Sequence, residues 1–473
     1  MTVRLRVVDV CCYERPYRLR IPFRFGIKTA TGGRQAVVSV RIRLENGQEA
    51  TGWAAEALSA KWFDKNPSLT DDQNHHQLRR SIELAAEARL GSGLQTAYRL
   101  FETSYFDLNE ACAAQALNPL IASFGMAMLD RAILDALCRA KGTSFAQAMS
   151  ANLVGMHTGP LVPELEGFDL DAFLGSRHPA SGIDIRHTVG LVDPLVPGDQ
   201  ESRVNDGLPE TLSEVIATYG CRYYKIKIGG DADADLDRLG RIAALLDQSG
   251  IDYRVTLDGN EQFADGEAIA AFFARVEADP ALRRFSRSLL CLEQPVRRDR
   301  ALAEPVDRLA AHIPVIIDES DGGLDAFPTA RALGYTGVSS KTCKGFYKSI
   351  LNAARAQAWN GDGASRYFLS AEDLTCEPGI SLQQDLALVS WLGLTHVEKN
   401  AHHFIDGFGN RPHGEAQAFL AAHGDLYHLQ NGVVRLRLEG GRVGIGSLAA
   451  SGFGTALSPD IVGLEPMPSA DWN

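Results

Sequence analysis

Carboxylates stand at the ends of three otherwise apolar segments in the second half of the chain. Asp258, Glu293 and Asp318 each end such a segment, and they follow one another at intervals of about 25 to 35 residues, roughly one strand-plus-helix unit. A single Asp in this position is typically a helix cap, but three in successive units favour a shared site. Carboxylates without Cys or His partners suit a hard cation, Mg²⁺ before Zn²⁺. We therefore predict a metal site formed by these three residues.

Lysines occupy comparable positions on two other segments. Lys225 and Lys227 share one face of the segment 223–228, because side chains alternate along a strand. On a barrel strand this face points into the barrel, where buried ammonium groups need anions opposite them. The alternative is an edge strand with solvated lysines. Lys341 ends a later segment, and strands two and six of an eight-stranded barrel face each other, so Lys227 and Lys341 are predicted to flank a substrate held on the metal.

The elements that must position these residues alternate between strands and helices. Short apolar strands followed by Ala- and Leu-rich helices predict a parallel sheet, and eight strands suit a (β/α)8 barrel, an α/β fold. A doubly wound open sheet is the alternative, although no G-x-G-x-x-G follows an early strand. The predicted strands are 183–189, 222–228, 253–258, 289–295, 314–319, 337–342, 366–371 and 395–400, and the predicted helices include 235–248, 265–277, 300–311, 325–333, 346–359 and 380–391.

The two ends of the chain have a different pattern. Residues 36–55 alternate apolar and polar side chains around Asn46-Gly47, which predicts a hairpin, and helical periodicity follows, with a stop at Gly142. Residues 433–445 predict a second hairpin with Gly440-Gly441 as its turn, and this tail is expected to fold back onto the N-terminal domain. The Gly-, Pro- and Asp-rich stretch 155–208 is interpreted partly as linker and loops. The predicted units are an α+β capping domain 1–155, a barrel 180–425 and a C-terminal segment 426–473.

Composition narrows the class of protein. The 473 residues are 45% hydrophobic and 22% charged, which is ordinary globular composition, and the formal net charge of −12 disfavours nucleic-acid binding. No apolar run approaches the roughly 18 residues of a membrane span, and the N-terminal stretch does not have the pattern of a signal peptide. The eight scattered cysteines are expected to be reduced thiols. We expect a cytoplasmic homo-oligomer that binds neither nucleic acid nor membrane.

Several short motifs together resemble one enzyme family. Lys225-Ile226-Lys227, Asp258-Gly259-Asn260, Glu293-Gln294-Pro295, Asp318-Glu319-Ser320 and Lys341 resemble the enolase superfamily, in its mandelate racemase/muconate lactonizing enzyme family and the muconate-lactonizing branch. The resemblance implies a barrel whose N-terminal cap is completed by the C-terminal tail. It also implies an Mg²⁺-dependent isomerase or lyase, with Mn²⁺ as a possible substitute. Such an enzyme removes the proton α to the carboxylate of a small acid and forms a metal-stabilised enolate.

The resemblance also assigns roles to individual residues. It implies that Lys227 and Lys341 are the acid/base pair, and that Lys225 contacts the substrate carboxylate and lowers the pKa of Lys227. It implies substrate contacts for Asn260 and Glu377, with Glu372 and Asp373 as competitors for the place of Glu377. The same resemblance gives Asp258, Glu293 and Asp318 as metal ligands.

The sequence departs from the family in ways that leave the substrate open. Phe346-Tyr347 stand where a second glycine is frequent, and residues 396–400 lack the Asp-x-Asp of dipeptide epimerases. Residues 23–30 resemble a mobile capping loop, or form an ordinary Gly-containing turn. His402-His403 have a structural or surface role, or a catalytic one.

Racemisation or epimerisation, dehydration and cycloisomerisation all stay open. Two other functions are compatible with the sequence. One is a non-catalytic binding or scaffold protein. The other is a Schiff-base aldolase using Lys341 or Lys227, which would not need three carboxylates.

Overall fold

A closed parallel barrel forms the centre of the molecule. The computed structural model describes residues 2–361, 365–374 and 376–472, and within them eight parallel strands close into a ring, with Val397 of the last strand paired to Ile185 of the first. The predicted (β/α)8 barrel with an N-terminal α+β cap is therefore confirmed, and all eight predicted strands are present. The barrel strands are β5 (Gly182–Val189), β6 (Tyr223–Lys227), β7 (Arg254–Asp258), β8 (Leu289–Glu293), β9 (Val315–Ile317), β10 (Gly337–Ser340), β11 (Phe368–Ala371) and β12 (His396–Glu398).

Helices follow the barrel strands as the apolar periodicity predicts, with one exception. The segment 300–311 forms two short helices rather than one, because Pro305 lies between them and cannot continue a helix. The helices around the barrel are α5 (Leu170–Gly175), α6 (Leu212–Tyr219), α7 (Ala232–Gln248), α8 (Gly266–Ala278), α9 (Arg283–Ser288), α10 (Arg298–Ala301), α11 (Asp307–Ala310), α12 (Ala326–Ala332), α13 (Phe346–Asn360), α14 (Ile380–Trp391) and α15 (His413–Ala422).

An antiparallel sheet backed by helices forms the cap. The predicted hairpin at Asn46-Gly47 joins β2 to β3, and Gly47 takes a positive φ of 85° there. The long strand β1, which pairs with β2 along its length, was not predicted from the sequence, because its frequent arginines obscure the alternation. The cap comprises β1 (Arg4–Phe25), β2 (Lys28–Leu44), β3 (Glu49–Ala57), α1 (Asp71–Leu90), β4 (Gln95–Thr96), α2 (Ala97–Ala113), α3 (Pro119–Lys141) and α4 (Phe145–Ser150).

The sheet of the cap lies unusually close to its central helix. A Cβ atom on Gly52 in β3 would lie 2.1 Å from the backbone nitrogen of Ala136 in α3, so only glycine permits this approach. The helix itself is buried along most of its length. Its C-terminus ends at Gly142 in the left-handed conformation, as the sequence predicts.

The predicted turn at Gly440-Gly441 in the C-terminal segment is present. Both glycines have positive φ, and the flanking Glu439 and Arg442 pair antiparallel through two backbone hydrogen bonds. The pairing ends there, because the strand after the turn pairs antiparallel with the start of β5 in the barrel, and a second hairpin, which was not predicted, turns at Asn431-Gly432. Both glycine-containing sites can form turns, and contact with the barrel decides which strand pairs with which. The strands are β13 (Tyr427–Gln430), β14 (Val433–Leu436), β15 (Arg442–Gly444) and β16 (Glu465–Pro466).

The last part of the chain does return to the cap. β16 pairs with β1 through Tyr13 and Pro466. The carboxylate of Asp135, buried in α3, accepts hydrogen bonds from the backbone N–H groups of Phe453 at 2.7 Å and Trp53 at 2.8 Å. Asp135 therefore joins the tail, the cap sheet and the cap helix. The boundaries 1–155, 180–425 and 426–473 stay predictions.

Two global expectations can be compared with the described residues. In the ranges given above, none of the helices combines the length and the apolar composition of a membrane span. All eight cysteines lie in those ranges and carry free thiols, six of them buried.

We predict that Asp135→Ala lowers the free energy of unfolding by about 2–4 kcal/mol, because two backbone donors and Arg139 lose a buried acceptor. Denaturant unfolding measures the change. Asp107→Ala, an exposed Asp on α2, is the matched control and is expected to stay within about 0.5 kcal/mol of the parent. Equal losses in the two variants would contradict the joining role of Asp135.

Candidate active site

The predicted charged residues meet at the carboxyl end of the barrel. Asp258 is paired in register with Lys227 on one side and with Glu293 on the other. Asp318 directly follows β9, the next strand around the ring. Successive parallel strands thus present these side chains at one edge, where active sites of such barrels lie.

Lys225 lies at the centre of the acidic residues. Its side chain is 1% exposed, and the ammonium group reaches oxygens of four carboxylates, at 2.9 Å from Asp258, 2.7 Å from Glu293, 2.8 Å from Glu372 and 3.0 Å from Glu398. Burial alone would lower the pKa of Lys225, but these carboxylates raise it well above its usual range. Lys225 is therefore held as a cation.

The two predicted acid/base lysines each contact a different carboxylate. Lys227 Nζ lies 2.5 Å from Asp258 Oδ2, and Lys341 Nζ lies 2.7 Å from Asp318 Oδ2. Lys341 also lies over the indole ring of Trp62, 4.3 Å from its centroid, which is a cation–π contact. Both lysines line the same cavity, as predicted for residues on strands two and six.

The three predicted metal ligands differ in their electrostatic surroundings. Burial raises the pKa of Asp258 and Asp318, but lysines outweigh it and the pKa of each carboxyl is lowered, that of Asp318 well below its usual range. Burial and repulsion from Asp258 and Glu372 raise the pKa of Glu293 well above its usual range. Of the three carboxyls, Glu293 is thus the one whose pKa is raised, although Lys225 lies 2.7 Å away.

The donor set suits a hard cation, although the side chains are not grouped around one. In the part of the chain that the structure describes, no three Asp, Glu, His or Cys side chains form a ready-made metal cluster; the ammonium group of Lys225 stands among the carboxylates instead. Both Glu293 oxygens are buried, and neither accepts a hydrogen bond of good geometry from any described residue, although Lys225 Nζ lies 2.7 Å from Oε2. A buried carboxylate with free acceptor capacity beside two others fits an oxygen-preferring divalent ion.

Asn260 and Gln294 lie just after the ends of β7 and β8 and hold neighbouring residues of the site through hydrogen bonds. Gln294 follows Glu293 with a positive φ of 34°, and its amide oxygen accepts from the backbone N–H of Asp318 at 2.8 Å. Asn260, also at positive φ, donates its backbone N–H to Asp258 at 2.8 Å and its side-chain amide to Glu319 at 3.1 Å. Strained backbone of this kind is typical of functional sites. Glu319 pairs with Lys65 of the cap at 3.3 Å, whereas Asp318 contacts Lys341 and Lys344.

Of the three acidic residues considered near the seventh strand, Glu377 lies farthest from the cavity. It pairs with Arg411 and is not among the residues that line the cavity, and it stands several residues beyond the end of β11. Its two competitors lie closer to the site: Glu372 contacts Lys225, and Asp373 lines the cavity. The substrate contact predicted for Glu377 is therefore not supported by its position.

Two charged residues of the cluster were missed by the sequence analysis. Glu398 ends β12 and contacts Lys225, and it obeys the same rule of a charge at a strand end that identified Asp258. Lys344 lies 3.2 Å from Asp318. It stands three residues after Lys341, in a short helical turn that brings both lysines to one carboxylate.

Residues of the cap form part of the cavity lining. Phe23 and Phe25, at the end of β1, line it together with Trp62 and Leu374. The enclosed volume is only about 30 Å³, enough for a couple of water molecules. Gly26 at the tip of the β1–β2 hairpin has a positive φ of 48° and lies against the backbone of Asn260. Residues 23–30 thus form the turn of a strand pair that also covers the site.

The two histidines after the last strand do not line the cavity. His402 and His403 are buried beside His187, and His402 Nε2 is 3.0 Å from His187 Nδ1. Burial lowers the pKa of His402 to about 3 and that of His187 and His403 well below their usual value. The three rings pack against one another, and His402 and His403 also pack against Tyr219, so their contacts in this arrangement are structural.

Comparison with known proteins agrees with the barrel geometry. Residues 208–397 match the family model described as enolase C-terminal domain-like, which confirms the resemblance to the enolase superfamily for this part of the chain. The match does not single out the muconate-lactonizing branch. No curated protein matches the sequence.

Solved structures resemble the whole chain at low sequence identity. An enolase from Bradyrhizobium complexed with magnesium and mandelic acid has a TM-score of 0.61 and 16% identity, with 98% of each chain covered. A dipeptide epimerase from Enterococcus faecalis V583, complexed with Mg and L-Leu-L-Tyr, has a TM-score of 0.58 and 14% identity, with 95% of this chain and 99% of that chain covered. A racemase from Streptomyces coelicolor A3(2) with bound magnesium has a TM-score of 0.58 and 14% identity, with 95% of this chain and 97% of that chain covered. At this identity the likeness establishes the fold.

The buried histidines predict acid sensitivity. Because the folded state keeps them neutral while the unfolded chain binds protons from about pH 6.5 downward, stability is present above that pH and is lost as the pH falls. His402→Gln should make the fall shallower by up to about 1.4 kcal/mol per pH unit in this range. Denaturant unfolding at several pH values measures it, with the exposed His312→Gln as control. An unchanged slope for His402→Gln would disprove the assignment.

Proposed function

We propose that this chain, with its enolase C-terminal domain-like barrel, removes the proton α to the carboxylate of a small acid. Lys227 and Lys341 act as the acid/base pair. The observation that carries the proposal is that these two lysines line one cavity and each is held by its own carboxylate. A general acid or base must reach the transferred proton from a fixed position, and the two ion pairs provide such positions.

Asp258, Glu293 and Asp318 are the residues that would hold Mg²⁺, or Mn²⁺ in its place. The free acceptor capacity of Glu293 and the purely carboxylate donor set support this choice. When bound, the ion would act as a Lewis acid for the negative charge that develops on the substrate carboxylate. Magnesium in the enolase, racemase and epimerase structures of the same fold also supports it.

The remaining residues orient the substrate and exclude water. Lys225 supplies a fixed positive charge beside the carboxylates, and positive charge in a water-poor site stabilises a developing anion most effectively. Asn260 lines the cavity next to Lys227 and offers a polar contact. Phe23, Phe25 and Trp62 cover the opening, so a proton on either lysine is shielded from bulk solvent.

The same chemistry serves several reactions. Transfer of the proton to the opposite face gives racemisation or epimerisation by an isomerase, whereas loss of a β-substituent gives dehydration by a lyase, and cycloisomerisation follows the same first step. The racemases and epimerases of similar fold favour an isomerase. The cytoplasmic location and the homo-oligomeric state stay predictions from the sequence.

The metal assignment predicts a specific loss of affinity. Glu293→Gln should weaken Mg²⁺ binding at least about tenfold, because it removes a charged ligand from a site of three. Isothermal titration calorimetry with Mg²⁺ measures the effect without any substrate. Glu377→Gln changes a buried acid that pairs with Arg411 outside the site, and it should bind Mg²⁺ as the parent does. Equal affinity of the parent and Glu293→Gln would show that the assignment is wrong.

The acid/base assignment predicts opposite stereochemical defects. With an exchangeable substrate in D₂O, Lys227→Ala should abolish exchange at one stereoisomer and spare part of it at the other, and Lys341→Ala should do the reverse. A loss of about 10²–10⁴-fold is typical for a general acid or base. Mass spectrometry and chiral chromatography separate the two effects.

Lys61→Ala serves as a control, because Lys61 lies in the cap outside the cavity lining. In a dehydratase that uses one lysine for both transfers, the loss of the other would slow turnover without changing stereochemistry. Full turnover by both variants on an identified substrate would exclude the two-lysine mechanism.

A further inference from the structure

A second cavity opens at the amino-terminal end of the barrel, away from the site described above. Phe368 is the first residue of β11 and His396 is the first residue of β12, and both line this cavity. Its volume is about 250 Å³. An apolar cavity of about 150 Å³ can already hold benzene. A molecule that consists of one small ring and one polar group therefore has room here.

Small inward-facing side chains leave this space inside the barrel. Thr256 is paired in register with Lys225 on one side and with Cys291 on the other, and Ser370 lies one residue before the end of β11. Thr256, Cys291 and Ser370 all line the cavity. The interior of a (β/α)8 barrel is normally filled by large branched side chains. The smaller residues at these positions therefore leave the amino-terminal half of the barrel open.

Arg186 is the only ionised side chain among the described residues that line the cavity, and four of its five N–H donors are used. Its Nη1 donates to Ser370 Oγ at 3.1 Å and to His396 Nδ1 at 3.2 Å. Its Nη2 donates to the backbone oxygen of Ala371 at 2.7 Å and to the carboxylate of Glu372. The fifth donor, Nε, is buried and makes no hydrogen bond with a described residue. The guanidinium group is thus fixed in place with one donor free.

Thr256 and His396 add two more hydrogen-bonding groups to the lining. The hydroxyl of Thr256 is buried and has no hydrogen bond with any described residue. His396 accepts from Arg186 through Nδ1, because a guanidinium group can only donate. Burial and the adjacent Arg186 lower the pKa of His396 to about 3, so the ring is neutral and its proton is on Nε2. Buried donors without partners are unfavourable, and a molecule with acceptor oxygens would satisfy them.

The rest of the lining is largely apolar. Leu290, Phe368 and Leu369 contribute to it, together with Cys291. Burial raises the pKa of the Cys291 thiol, which therefore stays uncharged. Among the residues that the structure describes, no Asp or Glu lines the cavity. A carboxylate would thus meet donors and no acid in the lining, and the apolar part of the same molecule would be removed from water.

We propose that the amino-terminal cavity binds a small carboxylate with an apolar body, of about the size of benzoate. The carboxylate accepts from Arg186 Nε and from the hydroxyl of Thr256, and the apolar body packs on Phe368. Hydrogen bonds that involve ionised groups are roughly twice as strong as neutral ones, which favours a carboxylate over an amide. The site is separate from the cavity that Lys227 and Lys341 line, and it does not depend on the proposed function.

Isothermal titration calorimetry with the full chain tests this proposal without any substrate. Three compounds are compared: benzoate, its neutral isostere benzamide, and acetate, which lacks the apolar body. Benzoate should bind at least about tenfold more tightly than either of the others. Benzamide binding as tightly as benzoate would overturn the choice of a carboxylate, and acetate binding as tightly would overturn the apolar body. Absence of benzoate binding would overturn the whole proposal.

Two variants test whether benzoate occupies this cavity. Thr256→Val removes the hydroxyl and keeps the shape of the side chain, so it should weaken benzoate binding at least about fivefold. Cys291→Leu fills part of the space and should weaken benzoate binding at least about tenfold by steric exclusion. Thr51→Val, at an exposed position of β3, is the matched control and should bind benzoate as the parent does.

A variant at the other end of the barrel decides between the two cavities. Lys341→Ala should leave the affinity for benzoate unchanged. Loss of binding in Lys341→Ala, with parental affinity in Thr256→Val and Cys291→Leu, would place benzoate in the active-site cavity and refute the proposal. Melting temperatures show that the variants fold, and the nearly isosteric Thr256→Val keeps the test decisive if Cys291→Leu does not fold.

Discussion

The structure depends on neutralising carboxylates that are buried together at one end of the barrel. Ionised acids are not stable in such a place unless cations stand next to them. Among the described residues, Asp258, Glu293, Asp318, Glu372 and Glu398 contact Lys225, Lys227, Lys341, Lys344 and, on β5, Arg186, while Asp373 contacts Lys399. Removal of one member would leave a partner unpaired in a region of low polarity. The strand ends are therefore constrained as a group, and each charge has a position set by its neighbours.

The charged cluster also requires the cap. Without it, water would solvate the charges at the barrel mouth, and their electrostatic interactions would be weak. Phe23 and Phe25 cover the lysines from one side and Trp62 from another. Arg298 from the barrel donates to the backbone oxygens of Trp62 and Phe63, so the covering loop is attached to the barrel and does not merely lie over it. The low polarity that makes the paired charges effective thus comes from the cap, and the cap is held in place by the barrel.

Much of this arrangement could be predicted from the sequence, for a physical reason. Parallel strands bring their carboxyl ends to one edge, so the position of Asp258 along its strand was enough to place it beside Lys227. The rule does not reach Glu377, which stands beyond the end of its strand and pairs with Arg411. Glu398 obeys the rule, since it ends β12. The β1 strand was not predicted because its frequent arginines obscure the alternation of apolar and polar side chains.

The contact of Asp135 with the tail has a consequence for the order in which the chain folds. Asp135 and Phe453 are separated by 318 residues of sequence, and β16 pairs with β1 near the other end of the chain. During synthesis the cap sheet and its helix leave the ribosome first. Their hydrogen bonds with the C-terminal segment cannot form until the whole barrel has also been synthesised. Contacts of such long sequence separation form late and slowly. A nascent chain of this protein therefore exposes an incomplete cap throughout the synthesis of its barrel.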